Sequence, residues 1–279
     1  VISAISKLLP SNQRSFAIGT VTAAGSLGQL LVTPFAQKLI SLNSWRTAIL
    51  MLSILIILIP IFAMGFIRKR NDDHYPSSRD NLSTILSSFH NKNYVFLLAG
   101  FFVCGFHVAF ITSHLPTYLV GLKISSETAA IAIGLIGLFN IFGSFFAGLL
   151  GGKYSKANLL SLLYLFRAIC ILCFFVFPKT EISVYIFAGT MGLLWLSTVP
   201  LTSGLVGDIF GSRNIGALFG FVFLSHQLGA FFGVLVGGLV YDFSGSYQYV
   251  WKLSILLGLL AAVVHLPIKI TKVTETSMS

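Results

Sequence analysis

Charge is what this sequence has least of. Of its 279 residues only 9% are charged, and Asp and Glu together number 8. A soluble domain carries about 25% charged residues, because its water-facing surface has to be covered. The shortage excludes an ordinary soluble enzyme or a soluble binding module. Cysteine is scarcer still. Cys104, Cys170 and Cys173 all fall inside apolar runs and form no even framework, so they predict small buried thiols rather than disulfides. A Gly-x-x-x-x-Gly-Lys-Ser/Thr phosphate loop, a His-Glu-x-x-His run and paired-Cys metal spacing are missing too. Those absences argue against ATP-driven work and metal catalysis, and the expectation is no cofactor, no metal and no catalytic residue. No basic segment followed by a short apolar core marks a signal peptide. The chain opens at Val1 and reads as starting in mid-protein.

Hydrophobic residues make up 56% of the chain, 26 Phe and 26 Gly among them, and the mean hydropathy is +0.90. Phe supplies lipid-facing bulk and Gly lets helices approach closely. Eight apolar runs reach the ~20 residues a helix needs to cross a bilayer: 16–38, 46–67, 94–118, 128–150, 158–177, 183–206, 214–240 and 249–268. Strands would leave backbone groups unpaired in lipid, and the runs lack strict alternation. The expected fold is an all-α membrane protein with the bilayer as its main partner.

The net charge of +10 is placed as a topology signal and not as a nucleic-acid footprint. One set of loops and ends holds Lys7, Arg14, Arg68, Lys69, Arg70, Arg79, Lys92, Lys153, Lys156, Arg213, Lys269 and Lys272. The alternating set holds only Lys38, Arg46, Lys123, Lys179 and Lys252. Basic loops stay inside, so both ends of the chain and the long polar segment 68–93 are expected on the cytoplasmic side.

Two spans, a long basic loop and six more spans resemble the major facilitator superfamily, with its two six-helix halves, short of the first four helices. The resemblance divides the chain into 1–67, the last two helices of the first half; 68–93, the loop between halves; and 94–279, the second half. The run from Arg14 to Ile49 resembles the superfamily's fifth helix leading into its sixth. Gly25, Gly28 and Pro34 stand where a Gly/Pro signature sits, and Trp45-Arg46 matches the usual start of helix six. The stretch GGKYSKANL resembles a degraded Gly-x-x-x-Asp-Arg loop that keeps Lys153 and Lys156 and lacks the Asp. GFHVAFITSHLPTYL and the Gly-rich stretch ending in Asp242 and Gly245-Ser246-Tyr247 are similar to the monocarboxylate porter and oxalate/formate antiporter group. That group often has an Arg on helix eight, and none occurs between Thr128 and Leu150.

Polar side chains at lipid depth are costly, so each is a candidate for the substrate or proton path. His107 and His114 lie seven residues apart on one helix face. His226 and Gln227 sit mid-span, followed by Gly229, Gly233 and Gly237, whose four-residue spacing reads as a packing surface. Asn140, central in its span, reads first as interhelical glue and second as a path residue. Arg167 is the one cation deep in a span, and with no acid in any span its partner is a carbonyl, a substrate anion or a helix outside this sequence. Trp195 and Pro200 shape a wall or hinge, with a kink expected at Pro200. Asp208, Arg213 and Asp242 lie at helix ends, as gate or cap contacts.

The resemblance implies a monomeric secondary transporter, no enzyme, in a bacterial inner membrane, working by alternating access. Its expected substrate is a small organic anion such as a monocarboxylate, coupled to a proton or exchanged for another anion. A drug or neutral-metabolite exporter is the alternative within the superfamily, with Phe101, Phe102, Phe106 and Phe139 lining an apolar cavity. A non-transporting remnant or another kind of membrane protein is the alternative outside it.

Overall fold

The structure, a computed structural model, describes residues 11–64, 85–211 and 215–269. Ten helices carry the chain through them: α1 (Ser11–Leu42), α2 (Trp45–Ile56), α3 (Leu58–Ala63), α4 (Lys92–Gly121), α5 (Ser126–Lys153), α6 (Lys156–Val176), α7 (Glu181–Leu194), α8 (Thr198–Phe210), α9 (Ile215–Ser244) and α10 (Gln248–His265). Short polar turns set their starts. Ser44, Ser125 and Ser155 each accept a backbone N–H three residues on, and Thr180 and Ser183 cap one another reciprocally.

Among the described residues seven stretches are long and apolar enough to cross a membrane: α1, α4, α5, α6, α7 with α8 as one interrupted span, α9 and α10. The eighth expected span, 46–67, departs from its prediction. It forms α2 and α3, a shorter apolar helix over Trp45–Ile61, and residues 65–67 lie outside the described residues. The interruption at Ile57 precedes Pro60, which has no N–H to return to Ile56.

The helices pack chiefly in pairs: α1 on α5, α4 on α9, α6 on α10 and α5 on α7, with α8 between α1, α5 and α6. Glycine makes the closest of these contacts. Gly229 and Gly233 of α9 press on the carbonyls of Phe102 and Phe106 of α4, and Gly105 of α4 presses on the carbonyl of His226, so a Cβ at any of them would overlap backbone. The glycine stripe thus packs on α4 as expected. Gly19 of α1 and Gly148 of α5 face one another in the same way, where a Cβ on Gly148 would lie 2.6 Å from the Ser15 carbonyl oxygen.

The core is two apolar clusters, one above the other. The first joins the lower turns of α4, α8 and α9 through Tyr94, Leu97, Leu205 and Leu218; the second joins the far halves through Phe110, Phe174, Phe187 and Trp251.

Candidate functional site

The span Glu181–Phe210 does not run through as one helix. It stops at Leu194, Trp195 turns the chain with φ −59° and ψ −85°, and α8 begins at Thr198. A break at this depth exposes helix-end carbonyls and N–H groups that no water can serve. Side chains from two other helices, and one from the break itself, serve them. Arg167 of α6, fully buried, donates to the Leu194 carbonyl oxygen at 2.6 Å and to the Trp195 carbonyl oxygen. Asn140 of α5 accepts from the Leu196 N–H at 2.8 Å, and the Ser197 hydroxyl donates to the Leu193 carbonyl oxygen. A cation thus sits at a helix carboxyl end, where the peptide dipole favours it.

The kink expected at Pro200 lies at Trp195–Ser197 instead. Pro200 occupies the first turn of α8, a position proline tolerates because its missing N–H is not needed there. The Leu196 carbonyl, which Pro200 cannot serve, accepts from the Val199 N–H at 2.9 Å.

The seam extends to both sides of the break. Asn140 Nδ2 donates to the Ser26 hydroxyl of α1 at 2.7 Å, and Ser144 donates to Asn140 Oδ1. In the other direction Arg167 Nη1 lies 3.5 Å from the Cys104 sulfur, which is 3.2 Å from the Thr198 hydroxyl. Tyr164 stacks on the same guanidinium, 5.3 Å from its ring centroid. His226 lies beside Cys104, between the rings of Phe101 and Phe223, and its Nδ1 donates to Gln227 Oε1 at 3.2 Å. Asn140, Arg167, Trp195 and His226 therefore meet in one seam, and Gln227 extends it to the exposed face of α9. Cys104 and Thr198 complete it. Only their position beside polar groups could have marked them, and that needs the fold.

His107 and His114 are placed elsewhere. His107 is fully buried against α10 and donates to the Ser254 carbonyl oxygen at 2.8 Å. His114 donates to the Val234 carbonyl oxygen of α9 at 3.0 Å and accepts from the Tyr247 hydroxyl; Gly237 leaves room for its ring. Phe101 and Phe106 are buried against α9, and Phe139 lies over Gly189 and Gly192 of α7.

A cleft of about 460 Å³ opens between α1, α4 and α5 at the end that carries Lys123, lined by Gln37, Thr112, Pro116, Thr117, Ser126 and Ile133 among others. At the opposite end α1 and α5 are shut against one another. Gly19 meets Gly148, Ser15 lies against Gly151 and Gly204, and Lys156 Nζ pairs with Asp208 at 2.6 Å. Lys156 belongs to the degraded loop, and its ion pair joins α6 to the end of α8; Arg213 lies outside the described residues.

A bundle of this kind, open between α1 and α5 at one end, has known counterparts. The Major Facilitator Superfamily model matches residues 1–203. The chain belongs to the Major Facilitator Superfamily. It is a multi-pass membrane protein of a transporter family, not of an enzyme family. Within the superfamily it is 25% identical over 265 residues to the uncharacterized MFS-type transporter YcxA of Bacillus subtilis (strain 168), covering 91% of this chain and 64% of that protein. It is 23% identical over 291 residues to monocarboxylate transporter 12 of Rattus norvegicus, covering 89% and 60%. The chain thus spans less than two thirds of either relative. Among solved structures it resembles the superfamily transporter FucP in the outward conformation, with a TM-score of 0.71 and 17% identity over 96% of this chain and 72% of that one. The likeness to FucP shows the fold.

Proposed function

We propose that the protein is a secondary transporter that moves a small organic anion, such as a monocarboxylate, by alternating access, through proton coupling or anion exchange. One observation carries this reading: α1 crosses α5 in glycine contact at the Lys156 end and leaves a cleft with a few polar side chains at the Lys123 end. Two bodies that touch at one end and part at the other are what a rocking carrier presents. The excess of Lys and Arg at the Lys156 end supports a cytoplasmic location for that end, and with it an outward-open state in a bacterial inner membrane. The division at 68–93 then makes α1 to α3 the end of the first half and α4 to α10 the second half, in a carrier working as a monomer. The monocarboxylate relative supports the substrate class.

Counterflow of labelled lactate in vesicles containing the full-length protein tests it. Saturable exchange of labelled for unlabelled lactate is the expected result, and leakage without exchange rejects the reading. The uncharged lining of the cleft favours a second reading, a carrier of neutral metabolites, which predicts exchange of uncharged solutes and none of lactate.

A further inference from the structure

We infer that the groove between α6 and α7 is a binding site for an anionic phospholipid, with one acyl chain along the groove and the phosphate at Lys179. The site is separate from the cleft between α1, α4 and α5, and its test does not depend on what the protein carries.

The groove encloses about 530 Å³ and is lined by Phe166, Ile169, Phe174, Ile186, Thr190 and Leu194 among others. It follows from how the hairpin packs. Helix α7 turns Gly189 and Gly192 to Phe139 of α5. That leaves Ile186 and Leu193 exposed on α7, as Phe166, Ile169 and Phe177 are on α6. Between the two rows Phe174 and Phe187 stack on one another, with ring centroids 4.1 Å apart. Helix α1 packs instead on α5 and α8.

An apolar face alone selects nothing in a membrane, because lipid tails are as apolar as Leu. Shape and length do select. A concavity left empty forfeits the dispersion contacts of its walls, so an occupant is favoured. The groove runs from Phe177 and Ser183 at the Lys123 end to Phe166 and Leu194, about three turns or about 16 Å on either helix. A transmembrane helix of a partner needs a track of about 30 Å. This track stops near half that depth, where α7 breaks. Half the hydrocarbon thickness is one leaflet, and the occupant of that reach is an acyl chain pointing inwards from the surface.

The mouth supplies a partner for the headgroup. Lys179 lies in the turn that joins the two helices, its ammonium 5.5 Å from the Phe174 ring centroid. It donates to the carbonyl oxygens of Phe175 at 2.9 Å and Phe177 at 2.6 Å, at the end of α6. An ammonium has three donors, and these bonds use two. Glu181 stands close in sequence but accepts from the Thr128 hydroxyl of α5 at 3.0 Å, and Lys179 forms no ion pair among the described residues. Lys252 of α10 brings a second ammonium to this end, 6.0 Å from the Phe175 ring centroid. A free donor and two positive charges suit a phosphate diester that carries no cation of its own.

Native mass spectrometry of the full-length protein in detergent reads the site, with phosphatidylglycerol and phosphatidylcholine of the same chains as probes. One phosphatidylglycerol is expected to bind about tenfold or more tightly than one phosphatidylcholine. Lys179→Arg is expected to keep that preference and Lys179→Gln to lose it. Thr190→Trp, at an exposed position in the groove, fills the path of the chain and leaves Lys179 in place. It is expected to weaken the first phosphatidylglycerol by about tenfold or more. Inorganic phosphate is expected not to compete, since without a chain it meets only the mouth. Equal binding of the two lipids, a preference that survives Lys179→Gln, or undiminished binding in Thr190→Trp each overturns the inference. So does the absence of bound lipid, the result if a helix outside these residues or another protein fills the groove.

Discussion

Arg167 donates to the carbonyl oxygens of Leu194 and Trp195, and so fastens α6 to the point where α7 stops. No acid takes part. The cation is held by the ends of a helix, and the helix is held open by the cation.

Replacing Arg167 therefore tests the break itself. Arg167→Leu removes a buried charge but leaves two carbonyls unserved, at about 1–3 kcal/mol for each buried unsatisfied group. A lower midpoint of thermal unfolding in detergent is expected, with Arg167→Lys intermediate, since one ammonium cannot span both oxygens as a guanidinium fork does.

Asn140 and Ser26 differ in what their loss leaves behind. Ser26→Ala removes one interhelical hydrogen bond, of the order of 0.6 kcal/mol in a membrane. Asn140→Ala also orphans the Leu196 N–H. Unfolding midpoints should fall clearly more for Asn140→Ala, and equal falls would mean that the N–H finds another acceptor.

Gly148→Val places a branched side chain against the Ser15 carbonyl and the Gly19 Cα. The backbone cannot yield, so α1 and α5 must separate at the Lys156 end. Spin labels at Gln13 and Tyr154 should report a longer distance in the variant than in the parent, and an unchanged distance would mean that the contact is not tight.

Lys156 and Asp208 are partly buried partners. Lys156→Asp should lower the midpoint of thermal unfolding by like-charge repulsion, and the double exchange Lys156→Asp with Asp208→Lys should restore it.

Tyr247, in the turn before α10, has its phenol pushed upward by burial, with Tyr241 and Asp242 adding to the effect. A folded-state value above the unfolded value of about 10 means that the native protein holds the proton longer, so stability falls as pH rises past about 10. Thermal unfolding between pH 9 and 11 should show that loss, smaller in Tyr247→Phe.

The spans were legible because hydropathy depends on composition alone. Arg167 was marked as needing a carbonyl, an anion or another helix, and the first of these is what it has. What sequence could not place was the break. Pro200 drew attention to its own position, whereas the chain turns at Trp195, because Arg167 and Asn140 on other helices serve the groups freed there. Cys104 was expected only as a small buried thiol for a related reason: a thiol in an apolar run has no further signal until its neighbours are known. Nor did spacing tell that His107 and His114, on one helix face, would serve backbone carbonyls of α10 and α9.

The order in which the chain is made gives Arg167 a further consequence. Synthesis delivers α6 before the carbonyls of Leu194 and Trp195 exist, so its guanidinium enters the bilayer with no partner from that break. The hairpin of α6 and α7 is then the smallest unit in which this charge is served, and a ribosome stalled between them would leave the guanidinium of α6 without those carbonyls.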